Sequence, residues 1–472
     1  MRTAFAEVLR VATPLMISTG MFSVVLFVDR TLLLRHNPSE MSASMAGGNA
    51  FWSVICIFVG IASMTGAIIS QYMGTGRPSR VGRLLWQAAF FSLASLPVFL
   101  ACGLAGEWFF RLTGQPDALI GLETTYFRIL MWGGAGEVLQ TALSGFFSGT
   151  HRTRVIMLVS IASAVVNLFL DVVLIFGIPS TWLGPIAGLF DADVEGRIFH
   201  LGIAGAAIAS SCSFWFKAMF YVALLTHREI DRDFGIRRGF RVDLRMLKTL
   251  IFFGLPSGLM SLTEAGGFTA IVQRIGRLGD VPLQATSMAI NFNMIAFIPL
   301  VGMSIAASVL VGRHLTETGP EAAVTRVRAA LIVGWLYSIA WAVAYVMIPD
   351  RLIAFYQWAS LMEANSAASI AAESLLWFVA IYVLLDATQL ILAGALRGAG
   401  DTWFVLAAGA GVSIVSVIVG IAMEPECDAV DQTSIREALL WWWWIITGWV
   451  IALAFAMSLR FRSRAWQHKR MV

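Results

Sequence analysis

Charged residues are scarce in this sequence: only 13% of its 472 residues are Asp, Glu, Lys or Arg. A soluble domain usually has about 25%, so this scarcity excludes an ordinary soluble enzyme. Hydrophobic residues make up 58% of the chain, and the mean hydropathy is +0.77. Both values indicate a membrane protein with several spanning segments. A spanning helix takes about 20 residues, which leaves room for about twelve of them.

Cysteine and histidine are also rare. The four cysteines predict no disulfide framework, since Cys56, Cys102 and Cys212 lie in apolar runs and Cys427 lies alone in a predicted loop. The six histidines fall in predicted loops or in the C-terminal tail. We therefore expect no nucleophile–base pair and no metal-ligating set at membrane depth, which excludes an intramembrane enzyme and predicts no cofactor.

The hydrophobic runs predict an all-α polytopic membrane protein with 12 transmembrane helices in two pseudo-symmetric six-helix lobes. The predicted spans are residues 9–34, 46–73, 84–104, 122–148, 153–178, 201–226, 247–275, 283–312, 325–348, 367–396, 403–423 and 437–459. The predicted domains are residues 1–226 (first lobe), 227–248 (cytoplasmic linker) and 249–472 (second lobe with a basic cytoplasmic tail).

Basic residues concentrate in the segments on the N-terminal side of the membrane. The positive-inside rule then predicts a multi-pass protein of the cell membrane with both termini in the cytoplasm. We attribute the net charge of +4 to this orientation, and we expect no nucleic-acid partner.

Short patterns recur in the two halves. The G-x-x-x-G-x-x-x-T pattern of residues 145–153 reappears at residues 394–402, and Pro14 and Pro256 occupy similar contexts. Repeated halves of like orientation are typical of secondary transporters, in which the substrate site lies near the membrane midplane between the halves.

The segment Ala380–Thr402 carries the clearest functional signal. Asp386 lies in the middle of its apolar run, and helical spacing puts Tyr382 and Gln389 on the same face. An aspartate at that depth costs at least about 2.5–3.5 kcal/mol on insertion scales, so it is retained where it faces a cavity or a partner. The alternative is a structural hydrogen bond or ion pair between helices.

Other polar residues lie within predicted spans. Asp29, Asp171 and Glu264 add three carboxylates, and Asn167 shares a helical face with Asp171. A carboxylate in a dry cavity can hold a proton, or Na⁺ if further oxygen atoms surround it. Either ion neutralises the acid and can bias two conformations of the protein. Each of these residues can instead be a structural contact between helices.

Further candidates concern the substrate cavity. Glu137, Gln140 and Gln389 are predicted to line it. Lys217 and Arg128 also fall within spans, where each can pair with an acid or extend toward the interface. The run of four tryptophans at residues 441–444 is interpreted as a membrane-interface anchor.

Several of these segments resemble the multidrug and toxic compound extrusion (MATE) family, within a wider superfamily of oligosaccharide and lipid flippases. The similar segments are residues 394–402, 297–302 with 311–312, 167–177, and 254–256 ahead of Glu264. The resemblance covers nearly the whole chain. It implies twelve helices in two lobes and export driven by an inward Na⁺ or H⁺ gradient.

The resemblance also implies roles in the second lobe. Asp386 looks like the tenth-helix aspartate of the NorM-like branch of the family. Tyr382 resembles the aromatic residue that faces the bound cation there, and Glu264 resembles the seventh-helix glutamate. This set favours Na⁺.

In the first lobe, Asp29 resembles the first-helix aspartate of the family, and Asn167 and Asp171 resemble its fifth-helix polar pair. This set keeps H⁺ as an alternative. Pro14 resembles the proline at which the first helix bends, and Pro256 is the matching candidate in the second half.

Two departures from the family pattern stand out. Arg30 directly follows Asp29 where the family usually has a threonine, and it either neutralises Asp29 or lies near the outer interface. Residues 179–200 look like an insertion that carries Trp182 and three acids.

The sequence thus predicts a secondary active multidrug efflux antiporter that acts as a monomer in the lipid bilayer. It would export small amphipathic, cationic organic compounds in exchange for Na⁺ or H⁺ by alternating access. The alternative is a flippase for a lipid-linked precursor, which needs several cations in the cavity to hold a pyrophosphate, where only Arg128 and Lys217 are candidates.

Overall fold

A computed structural model describes residues 1–179, 197–360, 366–426 and 431–472. Its helices are α1 Arg2–His36, α2 Pro38–Gly74, α3 Val81–Ala94, α4 Leu96–Leu104, α5 Gly106–Leu112, α6 Asp117–Gly149, α7 Thr153–Phe176, α8 Ile203–Leu225, α9 Arg228–Phe234, α10 Leu244–Gly276, α11 Asp280–Glu317, α12 Pro320–Met347, α13 Pro349–Ser360, α14 Ser366–Ala399, α15 Thr402–Ala422 and α16 Gln432–Arg462. Strands β1 Ile178–Pro179 and β2 Arg197–Ile198 pair antiparallel. Most of the predicted insertion, residues 180–196, lies outside the described residues.

The spans match the prediction closely. Within the described ranges, eleven segments are long and apolar enough to cross a membrane. The twelfth long helix is α6, which has 33 residues and packs against α2 and α8. The prediction of an all-α membrane fold with twelve spanning helices in two lobes is confirmed.

The third predicted span, residues 84–104, lies within the segment Pro78–Leu104, which is long and apolar enough to cross a membrane. It consists of α3 and α4, which meet at Ser95. Pro97 lacks the N–H group that would bond to the carbonyl of Leu93, so the helical ladder of α3 cannot continue through this point.

The recurring glycine pattern marks the same helix contact in both lobes. A Cβ atom on Gly145 or Gly149 of α6 would lie 2.8 or 2.7 Å from backbone atoms of Gly66 on α2. Gly394 and Gly398 bring α14 even closer to backbone carbonyls of α11. Small residues allow such close packing of membrane helices. The fourth and second spans therefore correspond to the tenth and eighth, as expected for related halves.

The two lobes meet through α1 and α2 of the first and α10 and α11 of the second. Gly60 of α2 contacts the backbone of Gly258 on α10, and Gly302 of α11 faces the backbone of Leu15 on α1. At the end of α2, Gln71 receives a hydrogen bond of 2.9 Å from the backbone N–H of Met471. The Gln71 contact lies at the end of α2, beside the C-terminal residues.

A charged contact joins the lobes at this same end. Glu7 of α1 is 2.8 Å from His314 Nε2 on α11 and 3.1 Å from Arg326 Nε on α12. His314 is buried inside a helix, so its prediction as a loop residue is wrong. A histidine in the last turn of a long helix reads as a loop residue when only hydrophobic runs set the boundary.

Candidate functional site

The second lobe holds a polar cluster in the middle of α14. Asp386 is only 4% exposed and Tyr382, one turn earlier, is also buried. Gln389, one turn later on the same helix face, is also buried. Gln389 therefore belongs to the polar cluster around Asp386.

Glu264 and Arg397 extend this cluster. Glu264 lies half-buried on α10, close enough for its charge to interact with Asp386 and with Arg397. Arg397 lies in the last turn of α14 and donates a hydrogen bond of 3.0 Å to Ser304 Oγ. Sequence reasoning missed this half-buried cation because a basic residue at a helix end reads as part of the cytoplasmic surface.

The end of the 394–402 segment has a structural role. Asp401 is buried and forms a two-point ion pair with Arg460 of α16, at 2.7 and 3.3 Å. A buried, bidentate pair of this kind fixes geometry strongly. The turn between α14 and α15 is thereby attached to the last helix.

The first lobe holds a second carboxylate cluster, which joins three helices. Asp29 of α1 and Asp171 of α7 are both buried. With its amide nitrogen facing them, Asn167 donates to Asp29 Oδ1 at 3.1 Å and to Asp171 Oδ2 at 3.2 Å. Ser210 of α8 donates to Asp29 Oδ2 at 3.3 Å. The structure thus brings Asp29, Asn167 and Asp171 into one group and adds Ser210, which sequence reasoning missed.

Asp29 and Asp171 face the same amide nitrogen of Asn167, so their two carboxyl groups lie close together. Two neighbouring buried carboxyl groups resist double ionisation, which favours one shared proton. Asp171 Oδ1 is buried without a hydrogen-bond partner. Arg30 lies near enough to attract the charge of Asp29. The cluster is therefore suited to holding a proton.

Glu137 and Gln140 form a separate group on α6. Gln140 Nε2 donates to Glu137 Oε1 at 2.8 Å, and Lys217 Nζ of α8 lies 4.0 Å from Glu137 Oε2. Arg128 Nε donates to the carbonyl of Gly103 at 3.3 Å. Both cations predicted within the first-lobe spans thus have protein partners.

The two candidate bending residues lie inside continuous helices, Pro14 in α1 and Pro256 in α10. Pro14 has no N–H to donate to the carbonyl of Arg10, and Thr153 Oγ1 donates to that carbonyl at 3.4 Å instead. Bending at these residues stays a prediction.

The tryptophan run contradicts its interpretation as an interface anchor. Trp442 and Trp443 are fully buried, and only Trp444 is largely exposed. The ring of Trp443 stacks on that of Tyr382 with centroids 6.3 Å apart, so it supports the Asp386 cluster. Packing against α14 outweighs the tendency of tryptophan to lie at membrane interfaces.

Known proteins provide an independent comparison. The profile of the MatE family matches residues 14–173 and 256–424. A probable multidrug resistance protein NorM of Bradyrhizobium diazoefficiens is 27% identical over 85% of this chain and 83% of its own length. A probable multidrug resistance protein NorM of Burkholderia mallei is 26% identical over 84% of this chain and 81% of its own.

Solved structures agree on the fold. The crystal structure of a eukaryotic MATE transporter superposes with a TM-score of 0.80 at 18% identity, covering 98% of this chain and 97% of the other. An outward-facing multidrug resistance MATE family transporter of the MOP superfamily gives 0.79 at 18% identity, covering 99% and 97%. Since the family profile covers well over half of the sequence, the chain belongs to the MatE family of membrane transporters.

Proposed function

We propose that the protein is an antiporter that exports amphipathic, cationic organic compounds from the cell in exchange for H⁺ or Na⁺. The observation that carries this proposal is the pair of buried carboxylate clusters, one in each lobe, around Asp386 and around Asp29 with Asp171. Ionised carboxylates are costly at membrane depth. A transported cation, either the coupling ion or the drug, relieves that cost.

The two clusters support different coupling ions. The close, buried pair of Asp29 and Asp171 favours a proton, because two neighbouring carboxylates resist double ionisation. The second-lobe cluster offers oxygen atoms of Asp386, Gln389 and Glu264, which are the atom type that a hard cation such as Na⁺ prefers. The multidrug resistance names of the relatives support a drug substrate.

Alternating access is the proposed transport mechanism, with the cell membrane as its location and both termini in the cytoplasm. Its support is the position of the interlobe contacts. Glu7 binds His314 and Arg326 at one end of the lobes. Release of these contacts would allow the lobes to separate at that end.

The alternative function, a flippase for a lipid-linked precursor, is not favoured. A pyrophosphate needs cationic side chains that are available to bind it. Lys217 is near Glu137, and Arg128 donates to a backbone carbonyl. Both candidate cations therefore have partners already.

The test is ethidium movement in proteoliposomes under an imposed pH gradient and then under an imposed Na⁺ gradient. Wild type is compared with Asp386→Asn and with the control Asp117→Asn, which changes an exposed carboxylate at the start of α6. We expect gradient-driven transport in wild type and control, and its loss in Asp386→Asn. Absence of transport under both gradients, with folded protein, would contradict drug export and support the lipid-linked substrate.

A further inference from the structure

Three side chains converge at the end of α1 that lies opposite the Glu7 contact. His36 is the last residue of α1, Glu40 lies in the first turn of α2, and His200 lies between β2 and α8. His36 Nδ1 is 2.7 Å from Glu40 Oε2. His36 Nε2 is 2.9 Å from His200 Nε2. The proposed transport function uses none of these groups.

The local backbone holds this arrangement in place. The pairing of Ile178 with Ile198 fixes the segment that leads to His200. Phe199 has a φ of +63°, a conformation that is a genuine outlier for a bulky residue and is retained only where the surroundings enforce it. Gly202 has a φ of +53°, and a Cβ atom there would lie 2.6 Å from Glu40 Oε1. The glycine therefore leaves room for the Glu40 carboxylate.

The hydrogen bonds also set the chemistry of the nitrogens. The carboxylate of Glu40 accepts a hydrogen bond from the Nδ1–H group of His36, which leaves the lone pair of Nε2 directed at His200 in the neutral ring. A carboxylate behind a histidine is the arrangement that orients metal-ligating imidazoles and raises their basicity. The His36 ring is further packed edge-on against Phe176, with centroids 5.9 Å apart.

The distance between the nitrogens is close to that of a metal complex. Zinc–nitrogen bonds of about 2.0–2.1 Å in tetrahedral geometry place two ligand nitrogens about 3.3 Å apart. The rings would therefore separate by about 0.4 Å to admit an ion. The site is accessible, since the side chain of His36 is 21% exposed and His200 is exposed.

We propose that His36 and His200 bind a divalent transition-metal ion of the Zn²⁺ class through their Nε2 atoms, with Glu40 as a positioning residue for His36. Imidazole suits Zn²⁺, Cu²⁺ and Ni²⁺, whereas Mg²⁺ and Ca²⁺ prefer oxygen. Within the part of the chain that the structure describes, no group of three or more ligating side chains occurs, and we assign the remaining coordination positions to water. The ion joins α1 to α8, the two helices that also meet through Asp29 and Ser210.

The test is a calorimetric titration of Zn²⁺ into the metal-stripped, full-length protein in nanodiscs. We expect one Zn²⁺ per chain in wild type. His36→Ala and His200→Ala should each weaken binding by at least about tenfold, and Glu40→Gln by about tenfold through loss of the second-shell contact. The control is His227→Ala, an exposed histidine that precedes α9, which should leave binding unchanged.

Equal stoichiometry and affinity in wild type, His36→Ala and His200→Ala would overturn the proposal, as would the absence of Zn²⁺ binding in wild type. The contact would then be a histidine–histidine hydrogen bond only. X-ray absorption of the wild-type Zn²⁺ complex gives a test that needs no variant to fold. It should show two imidazole ligands, and a shell of oxygen atoms alone, or one containing sulfur, would contradict the assignment.

Discussion

The contact of Glu7 with His314 and Arg326 predicts how strongly one side chain holds the two lobes together at the end of the molecule where they meet. In Glu7→Gln the amide retains a neutral hydrogen bond but loses its charge toward His314 and Arg326. Hydrogen bonds to charged groups contribute about 1.5–3 kcal/mol when desolvated, and exposed ion pairs about 0–1 kcal/mol. Glu7 is 26% and Arg326 21% exposed, so the interaction free energy lost in Glu7→Gln should lie between these limits, at about 1–2 kcal/mol. This loss changes the equilibrium between joined and separated lobes by a factor of about 5–30.

The assay is a pulsed electron paramagnetic resonance measurement between spin labels on the exposed residues Ser79, in the first lobe, and Arg328, in the second. In Glu7→Gln the population with a longer distance should rise by about 5- to 30-fold relative to wild type. The matched control is Glu317→Gln, because Glu317 pairs with Arg313 within a single helix at 2.8 Å. Equal distributions in Glu7→Gln and Glu317→Gln would refute a role of Glu7 in holding the lobes together.

Three further predictions concern single residues. Asp386→Asn should lower the initial rate of ethidium export by at least about tenfold, or about 1.4 kcal/mol. The melting temperature should not fall, because the substitution removes a buried charge. An unchanged rate would contradict coupling at Asp386. Asp171→Asn removes one carboxyl group of the proposed proton site and should abolish the response to a pH gradient while leaving equilibrium ethidium binding intact. A retained response would exclude the first-lobe pair as the proton site. Burial and the nearby Arg313 lower the pKa of His151 to about 4 from an ordinary value of 6.5. Between these pH values the unfolded chain therefore binds more protons than the folded protein. The stability that is present above pH 6.5 is lost as the pH falls, by about 2 kcal/mol at about pH 5. His151→Asn, which tolerates the φ of +61° at this position, should therefore show a smaller fall in melting temperature between about pH 7.5 and about pH 5 than wild type; an equal fall would contradict the origin in His151.

The sequence was sufficient for features that depend on local periodicity. The helical face shared by Tyr382, Asp386 and Gln389 follows from spacing alone, and the structure places all three on α14. The glycine patterns at residues 145–153 and 394–402 also correctly predicted a repeat. Both patterns supply the small residues that a close contact between two helices needs, and the structure has this contact in each lobe.

Features that depend on contacts between distant segments were not predictable. Arg397 lies at a helix end in the sequence, and only the packing of α14 on α11 directs its side chain toward Ser304. The spacing of Asp29 and Asn167 says nothing about their meeting, which needs α1 and α7 side by side. Glu7 and His314 are separated by most of two lobes, so their contact has no local signal in the sequence.

The most direct test of cation-coupled drug export is the reverse exchange in sealed proteoliposomes. An imposed ethidium gradient, with no ion gradient, should drive H⁺ or ²²Na⁺ across the membrane in the direction opposite to the drug. The wild-type protein should show this countermovement, and Asp386→Asn should not. Drug movement in wild type without any opposing ion movement would contradict antiport and would indicate passive, uncoupled transport.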